Sequence, residues 1–401
     1  MDIDPNARFL LKAFRKYYKE NPPILPERFG RREFGFMFFD RSYVQRHLGF
    51  SRTTDIHKFL IGQVPSHCYY STAYYQKPNA PTMEEKQWMG ADLIFDLDAD
   101  HLVGADKMSY PEMLGCIKKE MINLVDSFLL GDLGFSEDQV SIVFSGGRGY
   151  HAHVSTKDVI GLGSPERREI VDYVTSSGLN IDWTFPFNRV AGSTMKVGGG
   201  TRVNVTSDRM IPSADSGGWR LRMREGLATM IDDICDHDVK DLRKIYPSLA
   251  GVPAKTINEL RDGVIRSREE MFSKNLMTSL SKKSQQELLV KMMNDDVRVR
   301  MSGEVDEPVT SDIKRLIRLP NSVHGKSGLR VTPLSRTQLD DFDPLLDAVP
   351  KEYSDELVKI TMRKDQELVI KGERFVLSGE TEVPEYAAVF LIGRKAADIS
   401  K

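Results

Sequence analysis

The run Ala91-Asp-Leu-Ile-Phe-Asp-Leu-Asp98 constrains this chain more than any other segment. Its alternation is that of a β-strand, with Leu93, Phe95 and Leu97 on one face and Ile94, Asp96 and Asp98 on the other. The apolar face demands a sheet core. The other face sets two carboxylates side by side at the strand end, and like charges so placed call for a proton or a cation. Oxygen-only ligands suit Mg²⁺ or Mn²⁺, and such a pair is a common half of a two-metal phosphoryl-transfer site.

A sheet carrying that strand has ample chain around it. The 401 residues, 40% hydrophobic and 28% charged, suit one large domain with an insertion or two domains. The longest apolar runs are too short to span a bilayer, and the start at Asp2 and Asp4 is no basic-then-apolar leader. No membrane contact is expected, and a cytoplasmic location is. Three scattered cysteines, Cys68, Cys116 and Cys235, argue against a disulfide framework and fit a reducing compartment. The net charge of −2 gives no global sign of a polyanion partner, so any nucleic-acid contact must come from local basic patches.

A first helix is expected to open at Asp4-Pro5, to bury Leu10, Ala13, Phe14 and Tyr17, and to stop at Asn21-Pro22-Pro23. Residues 32–39 and 68–75 read as strands. After the acidic strand, Ser109 and Glu112 form a capping box, with Pro111 in the first turn, for a helix whose core stripe is Met113, Ile117, Met121, Leu124 and Phe128. Two further strands, 140–145 and 150–155, flank a glycine turn. Residues 198–218 read as loop, and 226–298 change to a helical pattern. The expected division is therefore 1–225, a helical insertion 226–298, and 299–401, within an α/β (α+β) body.

Two other constellations bear chemistry. In Ser145-Gly-Gly-Arg-Gly-Tyr-His-Ala-His153 the glycines let backbone N–H groups approach an anion, and Arg148 supplies a fork matched to phosphate. His151 and His153 share a strand face. The plainer reading, a polar hairpin with histidines bonded across the sheet, is less favoured because an apolar strand delivers the loop straight to Arg148 and His151. In residues 304–330, Asp306 precedes a short basic helix expected over 310–318, with Arg315 and Arg318 on one face, and then Ser322, His324 and Lys326 alternate through a loop. One carboxylate beside several cations suits a site that holds metal and triphosphate together.

These motifs, in this order, resemble the catalytic small subunit of archaeal and eukaryotic DNA primases. The resemblance rests on Arg32-Glu-Phe-Gly-Phe36, Phe95-Asp-Leu-Asp98, Ser145-Gly-Gly-Arg-Gly-Tyr-His151, Arg315-Leu-Ile-Arg-Leu-Pro-Asn-Ser-Val-His-Gly-Lys-Ser-Gly328 and Val383-Pro-Glu-Tyr386. It implies a prim-pol fold, with a mixed, largely antiparallel catalytic sheet and an inserted helical subdomain. The implied activity is DNA-directed synthesis of short RNA primers from NTPs on single-stranded DNA by nucleotidyl transfer, with extension by dNTPs in archaeal relatives. It implies Asp96, Asp98 and Asp306 as ligands of paired Mg²⁺ or Mn²⁺, with Asp312 the second choice for the third carboxylate. Nucleotide contacts are implied at Ser145, Arg148, His151, Arg318 and His324, and more weakly at Arg32 and Lys326.

Family members often carry a zinc knuckle after the acidic strand. Here that stretch offers only His101 and Cys116, too few for a four-ligand site, so no structural zinc is expected and Cys116 reads as a buried thiol. The resemblance also implies a large primase subunit as partner, carrying an iron–sulfur domain that this chain lacks the cysteines to hold. Two other enzymes remain open as alternatives: a prim-pol repair polymerase, which would share the motifs and extend existing primers, and a metal-dependent nuclease, which would use the same carboxylates.

Overall fold

The computed structural model describes residues 4–101, 104–197 and 200–400. The chain divides into two compact units, one of Met1–Val171 with Glu304–Lys401, the other Asp172–Gly303. In chain order the strands used below are β1 (Phe34–Met37), β2 (Gln45–Leu48), β3 (His67–Ser71), β4 (Ala73–Tyr75), β5 (Trp88–Ala91), β6 (Leu93–Asp98), β7 (Val140–Phe144), β8 (Gly149–Val154), β9 (Phe187–Val197), β10 (Gly200–Arg209), β11 (Leu316–Arg318) and β12 (Thr332–Leu334). The helices used are α1 (Pro5–Glu20), α2 (Thr53–Gln63) and α3 (Tyr110–Asn123).

Two four-stranded sheets make the frame of the first unit, in the orders β11-β3-β1-β2 and β12-β7-β8-β6. Every pair in them is antiparallel. The fold is thus mixed α/β with antiparallel sheets, as the strand and helix patterns imply. β8 is buried at every position because it lies between β6 and β7. In β6, Leu93, Phe95 and Leu97 are at most 2% exposed, while Asp96 and Asp98 keep partial access to solvent.

α1 begins where Asp4 Oδ2 accepts the N–H of Ala7, and it buries Leu10, Ala13, Phe14, Tyr17 and Tyr18. α3 carries the capping box of Ser109 and Glu112 and packs across β8 and β6. Its stripe continues to Leu124 and Phe128 in a wider, π-type turn that ends before Gly134 in the left-handed region. Cys116 on this helix is half-buried rather than enclosed, because it flanks the stripe instead of lying on it.

Three local expectations change. Residues 68–75 are two strands, not one: β3 and β4 join different sheets and break at Thr72, whose N–H donates to Arg315 O and whose carbonyl accepts Asp92 N–H. Residues 310–318 are not one helix. A short helix, Glu307–Ser311, opens with Pro308, and Leu316–Arg318 then pairs with β3, so sheet pairing overrides a helix-like charge pattern. Residues 200–209 are strand β10, paired with β9, where glycine and serine had suggested loop.

The Asp172–Gly303 unit holds β9, β10 and helices Gly218–Asp236, Val239–Ile245, Ala254–Lys274 and Lys283–Met292. It is wider than the helical stretch 226–298, because the β9–β10 pair and the end of the preceding helix belong to it. No described helix is long and apolar enough to cross a membrane.

Candidate active site

The acidic edge is built by strand register. Asp96 stands opposite His151 and Asp98 opposite Gly149 on β8. The backbone N–H of Asp306 donates to the carbonyl of Asp96 at 3.0 Å, which brings the third carboxylate to the same edge. Burial first, then the charges of Asp98 and Asp306, raise the pKa of Asp96 to about 7 against the opposing pull of Arg315 and Arg318. Asp312 is elsewhere. It is exposed, its Oδ1 accepts the N–H of Lys314, and its charge bears on Tyr75 and Arg167.

Among the described residues no three His, Cys, Asp or Glu side chains converge into a ready-made metal cage. Asp98 Oδ1 accepts the N–H of Asp100 at 3.1 Å, and Asp96 Oδ1 faces His151 Nε2 at 3.3 Å. The donor set, all oxygen with the Asp96 carboxyl held protonated up to about 7 chiefly by burial, fits a hard divalent cation.

The glycine turn shapes the next wall. A Cβ on Gly149 would lie 2.2 Å from Leu97 O, so only glycine lets β8 come this close to the acidic strand. Gly146 has φ +75°, and a Cβ there would meet His324 Cβ at 2.8 Å. Ser145 Oγ accepts the N–H groups of Gly147 at 3.2 Å and Gly149 at 3.3 Å, which holds the loop open towards the cleft. Arg148 is half-exposed and paired with Asp100. His151 is buried, and burial first, then His153 and the nearby arginines, hold its pKa well below the usual imidazole range. His153 is also buried, with Nδ1 3.3 Å from Tyr70 Oη and its pKa lowered to about 4 by burial.

The third wall comes from β11 and the loop after it. Arg318 pairs in register with Tyr69, lies over that ring with 4.6 Å to its centroid, and donates through Nη1 to His67 Nδ1 at 2.6 Å. His67 also accepts the N–H of Gly325 at 3.2 Å, and burial followed by the charges of Arg318 and Lys326 lowers its pKa to about 2. It is a neutral acceptor that aims a guanidinium. His324 packs against the His67 ring, 4.8 Å between centroids, and Ser327 Oγ donates to Gly146 O, tying this loop to the glycine turn.

The cleft so enclosed has a volume of about 630 Å³ and six cationic residues, Arg148, Arg315, Arg318, Lys326, Arg394 and Lys395, on its walls. Asp96, Asp98 and Asp100 line it too, with Ser145, His151 and His324. Asp306 lines an adjoining recess with Asp96 and Asp98. The structure therefore brings together every residue proposed from sequence except Arg32 and Asp312.

Arg32 is a correction. It is 1% exposed, and every guanidinium donor has a protein partner. Nε reaches Glu27 O, Nη1 reaches Ser71 O and Thr72 O, and Nη2 reaches Tyr74 Oη and Asp92, the last at 2.6 Å. It clamps the break between β3 and β4 and has no donor left for a nucleotide. Residues missed from sequence are His67, Tyr69, Asp100, Arg394 and Lys395. Alternation along β3 sets His67 beside Tyr69 on one face and could have suggested both; the last two carry no motif. The His101 side chain lies outside the described residues.

Comparison with known proteins follows the same line. The family model for the DNA primase small subunit matches residues 95–336. A DNA primase small subunit PriS from Methanococcoides burtonii is 40% identical over 405 residues, covering 99% of this chain and 99% of that protein. PriS proteins from Methanocella arvoryzae, 40% identical over 98% of this chain and 99% of theirs, and Picrophilus torridus, 37% over 96% of both, are similar along nearly their whole lengths.

Proposed function

The chain belongs to the DNA primase small-subunit family, and on that premise we propose how its cleft makes primers. It is the catalytic subunit of a primase that has a large partner subunit, and it synthesises primers for DNA replication. The reaction is DNA-directed transfer of nucleotides from NTPs onto a growing RNA strand, templated by single-stranded DNA, with dNTP extension as a second capacity.

The observation that carries this reading is the pairing of an acidic edge, where Asp96 is held near pKa 7, with a cation-rich cleft entered from the same strand end. Asp96, Asp98 and Asp306 would hold Mg²⁺ or Mn²⁺, which when bound activates the 3′-hydroxyl and neutralises the leaving pyrophosphate. The chain's own residues do the positioning. Ser145, Gly147 and Arg148 receive the phosphates, and Arg148 exchanges Asp100 for a phosphate oxygen. Arg318, fixed by His67 and Tyr69, presents a charge that needs no rearrangement. The 3′-oxygen attacks the α-phosphorus, a P–O bond forms, the α–β bridge breaks, and the hydroxyl proton leaves to solvent.

An iron–sulfur domain, on this reading, belongs to the large subunit, because the described cysteines, Cys68, Cys116 and Cys235, are free and far apart in sequence. Residues 226–298 serve as the inserted helical subdomain within the Asp172–Gly303 unit. A cytoplasmic site of action follows from the replication role. The test is a primer-synthesis assay with labelled NTPs, unprimed single-stranded DNA and Mg²⁺ or Mn²⁺. Asp98→Ala should lower synthesis on the order of 10²–10³-fold or more with the fold intact. Near-normal synthesis by that variant rejects the assignment, and extension only of pre-annealed primers would point to a repair polymerase instead.

A further inference from the structure

We propose that Arg394, with Lys395 beside it, holds the terminal phosphate of the incoming nucleotide. This rests on the triphosphate reading of the cleft and extends it to a segment that no motif marks.

The helix Glu385–Gly393 is buried from Tyr386 to Gly393 and is apolar on every side. Such a helix belongs in an interior, yet it ends at the cleft wall. A Cβ on Gly393 would lie 3.1 Å from Lys326 C and 3.2 Å from Ser327 N, so the helix end abuts the loop that carries His324 and Lys326. The next two residues are cations, and both line the cleft. Arg394 lies over Tyr110, 4.1 Å to the ring centroid, and Tyr110 Oη donates to Gly147 O. One aromatic ring therefore joins this arginine to the glycine turn.

Charge is what makes the arrangement informative. Arg148 is balanced by Asp100, but among the described residues neither Arg394 nor Lys395 has a carboxylate at ion-pair distance. Burial lowers the pKa of Arg394, Tyr110 opposes, and the like charge of Arg148 lowers it again, so two guanidiniums share this end of the cleft. Lys395 sits at φ +59°, the helix-end position that glycine or asparagine usually takes. The cations whose charge bears on Asp96 are Arg315 and Arg318, whereas Arg394 and Arg148 bear on each other. On this proposal the α-phosphorus sits at the acidic edge beside Arg315 and Arg318, and the terminal phosphate takes the two guanidiniums of Arg148 and Arg394 that line the same cleft.

The test is equilibrium binding of ATP and ADP, with Mg²⁺, to the purified full chain as wild type, Arg394→Ala, Arg394→Lys and Lys395→Ala. Wild type should prefer the triphosphate. Arg394→Ala should lose that preference by roughly tenfold, the loss of one charge-assisted hydrogen bond, with diphosphate affinity little changed. Arg394→Lys should restore part of it, and Lys395→Ala, on an exposed side chain and therefore tolerated in folding, should show a smaller loss in the same direction. A full triphosphate preference in both Arg394→Ala and Lys395→Ala overturns the inference alone. Failure of wild type to bind either nucleotide overturns the triphosphate reading with it.

Discussion

Arg32 meets Asp92 at 2.6 Å with side chains 1% and 3% exposed, whereas Arg148 meets Asp100 with 39% and 54% of theirs in solvent. Both arginines stand in segments that match one family. The first has spent its five donors on protein atoms and fixes a break between two sheets. The second has a single exposed partner that a phosphate can replace. Chemistry of the side chain is the same; what separates scaffold from site is whether any hydrogen-bonding capacity is left over.

That contrast can be broken by mutation. Arg32→Ala leaves Asp92 buried without its counter-charge and should cost about 3–5 kcal/mol of stability, read from denaturant unfolding. A loss below about 1 kcal/mol would mean the clamp is dispensable. Arg148→Ala should do the reverse, raising the nucleotide KM roughly tenfold while unfolding shifts by no more than about 1 kcal/mol, as for other solvent-screened pairs. An unchanged KM would place Arg148 with the scaffold.

A smaller effect sharpens the same comparison through pH. Asp96 keeps its proton up to about 7 in the metal-free fold, but loses it near 3.9 in an unfolded chain. Between those values the folded state binds more protons, so this group's contribution makes stability fall as pH rises from about 4 to about 7. A divalent cation competes for the same oxygens. The thermal shift produced by Mn²⁺ should be slight at about pH 5.5 and grow through about pH 7–8, by a few degrees in a chain of this size. Equal shifts at both ends would remove Asp96 from the ligand set.

Much of the site was legible because strand alternation and glycine spacing are local. The face of β6, the turn at Gly146–Gly149 and the capped α3 each follow from neighbours within a few residues. Other features depend on pairing between distant segments. The Thr72 break exists because Arg315 and Asp92 bond to it, and Leu316–Arg318 is a strand only because β3 is beside it. Arg32 was misplaced for the same reason: a motif records which residue recurs, not whether five carbonyl, hydroxyl and carboxylate partners already surround it. Arg394 and Lys395 left no trace, since two cations after an apolar helix look like an ordinary helix end.

The register between β6 and β8 has one more consequence. Asp98 is the rung partner of Gly149, and Asp96 that of His151. The span from acid to anion loop is therefore set by the pitch of a hydrogen-bonded ladder, and no domain swing can alter it. That side of the cleft behaves as a ruler, so any adjustment to substrate length, base or sugar has to be made by the opposite bank.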